Sequence, residues 1–216
     1  MLDRTRRLSL LAGVTALGAM GVGGIAAAEH GQGKQRHEAD LRAVPHDPVA
    51  DAGSNVRGTA KIKLRGTRAK VQVHARGLSG GLPHAMHIHG KDHAEIAFCP
   101  GGDRRDDVVD DGLIETVEGL EDYGGIQVSL TTRGDTSADS GLALDRFKVA
   151  NRGGRLSYQR KLTLPQAVAD RLEDKHIVIH GADLNGDGKY GGRTTALGAP
   201  LEAELPVACG ALVRTR

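Results

Sequence analysis

Hydrophobic side chains alternate with polar ones in short segments from about residue 54 to the end of the chain. The pattern is clear at residues 60–64, 71–75 and 126–130. Successive side chains of a strand point to opposite faces, so this alternation is typical of strands with one buried face. Glycine-rich breaks separate the segments, and only residues 165–174 (PQAVADRLED) have the pattern of a short helix. Many short strands joined by turns predict a single all-β domain, a β-sandwich or barrel.

The first 28 residues have the layout of a secretory signal peptide. Basic residues Arg4, Arg6 and Arg7 precede a long apolar run that ends in small residues. We expect cleavage after Ala28, because the small-residue exit and the polar stretch that follows favour a leader over a membrane anchor. The Arg6-Arg7 pair keeps both the general and the twin-arginine export routes open. The mature protein is therefore predicted to be secreted or extracytoplasmic.

Between the leader and the domain lie residues 29–53, which are polar, contain two prolines and show no clean periodicity. They predict a disordered arm, with the folded domain at residues 54–216. Without the leader, the chain keeps 26 basic and 26 acidic residues, because three of the 29 basic and one of the 27 acidic residues belong to residues 1–28. A net charge near zero, with no basic patch in the sequence, argues against a nucleic-acid partner.

The chain has two cysteines, Cys99 and Cys209. In a protein that leaves the cytoplasm, a single long-range disulfide is the expected state. Free thiols or thiolate metal ligands are the alternative. They are less favoured because the two residues are far apart and neither belongs to a C-x-x-C motif.

Two histidines, His87 and His89, stand one residue apart in MHIHG, which has the composition of a buried strand. Side chains at i and i+2 leave a strand on the same face, so these imidazoles converge while Met86 and Ile88 face the core. A second strand-like segment, HIVIH, ends in His180. Imidazole is a common metal ligand, so the pattern predicts a metal site. The alternative is that all three are polar-face histidines that bind nothing.

Three segments of the chain, in the same order, are similar to segments of the copper-zinc superoxide dismutases. GLSGGLPHAMHIH resembles the family's GL-x-x-GL followed by H-x-H, with one extra residue before the histidines. HIVIHGAD resembles the strand that carries a further copper-binding histidine, and VACGAL resembles the closing A-C-G segment. The resemblance covers roughly residues 54–216. It implies a Greek-key β-sandwich or barrel closed by one disulfide between Cys99 and Cys209.

By position, the resemblance makes His87, His89 and His180 copper ligands. It implies an enzyme in which superoxide is disproportionated by alternate reduction and reoxidation of copper. Three neutral nitrogens suit copper and leave an open position for a small oxidant. No histidine occurs between His93 and His176, so the family's bridging histidine and zinc-binding loop have no counterparts. The expected cofactor is therefore copper without zinc.

Further site residues follow from the same comparison. Pro206 occupies the place of the arginine that guides superoxide in the family, and Arg193 is a candidate replacement. His84 and His93 flank the motif and are candidates for a fourth nitrogen ligand, with ordinary loop and turn residues as the alternative. Asp183 matches an aspartate that supports the copper ligands from outside.

Residues 107–118, DVVDDGLIETVE, fit a calcium-loop template at Asp107, Asp111, Gly112 and Glu118. Val109 stands where an oxygen ligand belongs, so one ligand is lost. A half-motif, DLNGDGKYGGRT, follows the HIVIHGAD segment but lacks the terminal glutamate. Calcium is accordingly a second candidate cofactor, and ordinary acidic turns are the alternative.

Two functions follow from these patterns. The first is a secreted, copper-binding superoxide dismutase-like protein whose substrate is superoxide or another small oxidant. The second is a non-enzymatic secreted module that binds copper or calcium. It would be similar to the CHRD (chordin-type) domains, which also carry an H-I-H-G segment.

Overall fold

A computed structural model describes residues 33–46, 55–91, 95–101 and 111–216. The predicted leader, residues 1–28, lies outside them. The described residues form eleven β-strands: β1 (Gln35–Ala43), β2 (Arg57–Arg65), β3 (Arg68–Arg76), β4 (Pro83–His84), β5 (Met86–Gly90), β6 (Gly125–Ser129), β7 (Lys148–Val149), β8 (Leu156–Thr163), β9 (His176–His180), β10 (Pro206–Ala211) and β11 (Val213–Thr215).

Nine of these strands form one curled antiparallel sheet, a half-barrel, in the order β6-β5-β9-β10-β1-β2-β3-β8, with β11 paired to β1. The short strands β4 and β7 pair separately. The all-β prediction is confirmed at this level. Long antiparallel pairings join β1, β2, β3 and β8, whereas β5 and β9 lie toward the other end of the sheet.

The helices are short. They are α1 (Thr116–Tyr123), α2 (Gln166–Asp170) and α3 (Leu201–Glu204). The helical pattern predicted at residues 165–174 is confirmed, because α2 and a 3₁₀ turn at Leu172–Asp174 lie there. Among the described residues, no helix is long and apolar enough to cross a membrane.

The disordered arm predicted for residues 29–53 is wrong for the part that forms β1. This strand lies inside the sheet, where it pairs with both β2 and β10. His37, Ala39 and Leu41 are buried, while the residues between them are more exposed. The inward positions therefore alternate as a strand requires, but a histidine and an alanine make the hydrophobic signal weak. The folded domain begins before residue 54.

One face of the sheet carries the main hydrophobic core, built mostly from valine, isoleucine, leucine and alanine. The strands β5 and β9 are buried along their whole length, so both of their faces are covered. Met86 and Ile88 belong to the main core, as the alternation predicts. The opposite face of these two strands is also buried, and it carries the polar side chains of His87, His89 and His180.

The predicted disulfide is confirmed. Cys99 and Cys209 are bonded, with a Cα–Cα distance of 5.7 Å and a sequence separation of 110 residues. Cys209 lies on β10 opposite Val178 of β9. The bond therefore fastens the segment around residues 95–101 beside the strand that ends in His180.

Candidate metal centre

Neighbouring strands bring the three predicted histidines together. On β5, His87 pairs in register with Val178 of β9, so both side chains leave the same face of the sheet. His89 and His180 are each two residues further along their own strand and share that face. All three side chains are at least 97% buried.

The imidazoles of His87, His89 and His180 form one cluster. One ligand nitrogen from each residue lies within 4.8 Å of the others. The ring centroids are 5.0 Å apart for His87–His180, 5.4 Å for His87–His89 and 5.7 Å for His89–His180. Two nitrogens on one metal ion at about 2.0–2.1 Å each are at most about 4.2 Å apart, so small ring rotations suffice for a shared ion.

On the outer side, each ring is held by a backbone carbonyl. His87 Nε2 donates to the Gly141 oxygen at 3.1 Å, His89 Nδ1 to the Gly124 oxygen at 2.8 Å, and His180 Nδ1 to the Glu204 oxygen at 2.7 Å. A carbonyl only accepts, so the outer nitrogen of each ring carries the proton. The hydrogen bond therefore fixes both the tautomer and the ring orientation.

The second nitrogen of each ring has no hydrogen-bond partner. These atoms are His87 Nδ1, His89 Nε2 and His180 Nε2, and all three are buried. A buried polar atom without a partner is costly, and three in one cluster are exceptional. Because the outer nitrogens hold the protons, the inner ones present lone pairs. A metal ion is the ligand that this donor set fits.

Burial keeps the cluster neutral. It is the largest cause of the low imidazole pKa values, which lie well below the ordinary value for His87, at about 3 for His89 and at about 4 for His180. A protonated neighbour in the cluster would lower the pKa of His87 and His89 further. Neutral imidazole is the form that coordinates metal, so the rings are ready to bind at neutral pH.

Local backbone geometry explains one of the supporting carbonyls. Gly124 ends α1 with φ of 78°, and a Cβ atom there would lie 2.3 Å from the carbonyl carbon of Gly90. Only glycine combines this conformation with so close an approach. The turn therefore brings the Gly124 carbonyl to His89.

Thr116, at the start of α1, supports the third histidine. Its hydroxyl donates to the Glu204 carbonyl and lies 3.2 Å from Nδ1 of His180. Neither Thr116 nor Glu204 was predicted as a site residue. The sequence gives no signal for them, since their role depends on a contact between segments 88 residues apart.

A cavity of about 250 Å³ opens beside the cluster. His87 and His180 contribute to its wall, together with apolar residues such as Ile126, Leu142 and Leu197. The lining residues are Ala85, His87, Thr116, Ile126, Ala138, Asp139, Gly141, Leu142, His180, Leu197, Ala203 and Glu204. A small molecule can therefore reach the histidines through a mostly apolar space.

Of the two candidates for a fourth ligand, His84 is buried but serves a different purpose. Its Nδ1 lies 3.0 Å from the carbonyl oxygen of His180, and its Nε2 lies 3.0 Å from that of Ser79. Both nitrogens face carbonyl oxygens, and the one N–H of the neutral ring donates to one of them. The ring therefore braces the backbone behind the cluster. His93 lies outside the described residues.

Asp183 does not support the copper ligands as predicted. Its carboxylate accepts hydrogen bonds from the backbone of Asp187 and Gly188 in its own loop. Backbone carbonyls take the supporting role instead. Arg193, the candidate guide for superoxide, is ion-paired with Glu115.

Two of the predicted calcium ligands, Asp111 and Glu118, accept hydrogen bonds from the backbone. Glu118 lies in the first turn of α1, where its side chain accepts from the backbone N–H of Glu115 in a capping box. Asp111 accepts from the backbone N–H of Leu113. Asp107 lies outside the described residues, so calcium at this loop stays a prediction.

Comparisons with protein-family models and with curated proteins find no match to this chain. The chemistry of the site therefore has to be argued from the cluster itself.

Proposed function

We propose that this protein is an extracytoplasmic copper protein with a superoxide dismutase-like Greek-key fold, which binds one copper ion through His87, His89 and His180 and disproportionates superoxide. One observation carries the proposal. Three buried imidazoles lie close enough to share one metal ion, and each has one nitrogen without a hydrogen-bond partner while the other is tied to a carbonyl. The disulfide between Cys99 and Cys209 supports an oxidising compartment.

The donor set favours copper over hard cations such as calcium or magnesium. Imidazole nitrogen suits copper, zinc, iron and nickel, whereas calcium and magnesium prefer oxygen. Copper would supply a one-electron couple, by which one superoxide is oxidised to O₂ and a second is reduced, with two protons, to H₂O₂. Among the described residues only these three histidines form the cluster, and His84 contacts carbonyl oxygens instead, so three imidazoles would leave a coordination position open for a small oxidant.

The protein's own residues would control access and protons. Ile126 and Leu142 border the cavity and limit what reaches the histidines. Glu204 also lines it, and its Oε1 has no hydrogen-bond partner. Burial raises the pKa of this carboxyl, chiefly by desolvation, although a hydrogen bond from Thr195 opposes the shift. Glu204 is the group best suited to deliver the protons that peroxide formation consumes.

The test is superoxide decay catalysed by the copper-loaded mature protein. Wild type and the variant His74→Gln, which changes an exposed histidine, should accelerate decay equally. His87→Ala should abolish the acceleration. Equal decay with wild type and His87→Ala would overturn the enzymatic proposal.

A specific observation favours a second candidate, a non-enzymatic copper-binding module similar to the CHRD domains. The ionisable residues other than histidine that line the cavity among the described residues are acidic, Asp139 and Glu204, and in their ionised form they would repel an anion. Arg193, which could offset them, is paired with Glu115. Under this alternative, wild type and His87→Ala still differ in copper affinity, but neither accelerates superoxide decay.

A further inference from the structure

A row of arginines crosses the exposed face of the sheet on strands β1, β2, β3 and β8, away from the histidine cluster. Arg42 lies opposite Arg57, and Arg57 lies opposite Arg76, in direct cross-strand register. Arg155, immediately before β8, continues the row. The four side chains, which we call the arginine row, line a groove of about 780 Å³ together with His74.

The arginine row is electrostatically unbalanced. Like charges directly opposite one another destabilise a sheet. Within the described part of the chain, none of the four guanidinium groups takes part in an ion pair or a side-chain hydrogen bond. Asp40 is the one acidic residue in the groove lining. The groove therefore has an excess of positive charge that a bound anion would neutralise.

A second cationic row crosses the same face. Arg36, Lys63, Lys70 and Lys161 lie opposite one another on the same four strands. It is six residues from the arginine row along β1, or about 20 Å at 3.4 Å per residue. The balanced net charge of the mature chain therefore conceals how the strands sort their cations onto this face.

We propose that the arginine row binds a thin, linear phosphate polymer, of the inorganic polyphosphate type. The guanidinium fork matches tetrahedral oxyanions and can bind them through paired hydrogen bonds. Strands about 4.8 Å apart place four cations along about 14 Å, which suits a chain of repeated anionic groups. A groove of this volume has the size of a small-ligand site and admits a narrow chain.

The composition of the face argues against two other polyanions. Exposed large hydrophobic residues, which would insert into a lipid surface, are absent from strands β1, β2, β3 and β8. These four strands carry no Trp or Phe and their one tyrosine, Tyr158, is buried, so they offer no large aromatic stacking platform for nucleic-acid bases. The charged side chains that line the groove are the four arginines and Asp40, so guanidinium donors predominate, which is what a phosphate chain needs.

Binding of polyphosphate to the full-length mature protein, measured by calorimetry, tests the proposal. Four phosphate contacts predict that affinity falls about 50-fold between 50 and 200 mM salt, taking the slope for single strands. The triple variant R42Q/R57Q/R76Q should lose at least tenfold in affinity. A matched control, R133Q/K148Q/K189Q, removes three exposed cations elsewhere and should bind like wild type.

Three outcomes would overturn the proposal. They are equal affinity of the triple variant and wild type, orthophosphate bound as tightly as the polymer, and duplex DNA or phosphatidylglycerol vesicles bound as tightly as the polymer. The triple variant should fold, and at low salt it should unfold at the same or a higher temperature, because like charges are removed. Should it fail to fold, the salt dependence and the chain-length dependence measured on wild type still decide the question.

Discussion

The histidine cluster and the His84 region both contain buried histidines, but the ring nitrogens in the two regions have different contacts. Both ring nitrogens of His84 face backbone carbonyls, at 3.0 Å each. In the cluster, by contrast, His87, His89 and His180 each tie one nitrogen to a carbonyl and leave the other without a partner. Burial alone therefore does not mark a metal ligand; a buried ring nitrogen with no protein atom at hydrogen-bond distance does.

This difference has an energetic reason. The single N–H of the neutral His84 ring donates to a backbone carbonyl, so this ring is tied to the fold without a metal. Three buried nitrogens without partners destabilise the metal-free protein, and a bound ion would recover that free energy. The comparison predicts that substitutions in the cluster change copper affinity and the dependence of stability on pH. A substitution of His84 should change stability but not copper affinity.

The largest expected effect is acid destabilisation of the metal-free protein. The folded pKa of His89 is about 3, below the unfolded value of 6.5, so only the unfolded state takes up a proton as pH falls through this window. Stability is thus fully present above pH 6.5 and falls by about 1.4 kcal/mol per pH unit for this residue. Urea unfolding of His89→Gln at several pH values should show a slope shallower by that amount than wild type and the exposed control His74→Gln. An unchanged slope would show that His89 is not held neutral by burial.

Next in size is the loss of a ligand. His87→Gln should weaken copper binding by about 100-fold or more, because even the loss of an outer partner of a metal ligand costs 10–100-fold. Competition with a chelator of known affinity measures it. His84→Phe should bind one copper per chain with an affinity close to that of wild type. A comparable loss in both variants would break the distinction between the two regions.

His84→Phe should instead reduce stability. The neutral imidazole has one N–H, so one carbonyl oxygen, of Ser79 or of His180, loses its donor, and an unsatisfied buried group costs about 1–3 kcal/mol. Thermal or urea unfolding of the metal-free variant checks this. A stability equal to that of wild type would mean that His84 does not brace the backbone.

The smallest effect concerns Thr116. Thr116→Val keeps the shape of the side chain but removes the hydroxyl that bonds the Glu204 carbonyl next to His180 Nδ1. Copper affinity should fall by about tenfold, at the lower end of the range for outer partners. A variant with wild-type affinity would show that the Glu204 carbonyl alone orients His180.

Much of this arrangement could be predicted from residue types. Alternation placed His87 and His89 on one face with Met86 and Ile88 toward the core, and the two cysteines predicted the disulfide. The supporting carbonyls of Gly124, Gly141 and Glu204 could not be predicted, because every residue has a carbonyl and only the tertiary fold selects three of them.

Two further misses have related causes. The strand β1 alternates through His37 and Ala39, which are too weak a hydrophobic signal against polar neighbours and nearby prolines. The arginine row depends on cross-strand register, and register is fixed by pairing partners that local sequence does not name. In each case the structure depends on how distant segments of the chain pair, which the local sequence does not show.

The most direct test of the central claim is X-ray absorption spectroscopy of the mature protein loaded with one equivalent of copper. We expect three imidazole nitrogens at about 2.0 Å in wild type. The variant H87A/H89A/H180A should lose this signature and its copper. A spectrum without imidazole scattering, or one that the triple variant reproduces, would contradict the three-histidine metal centre.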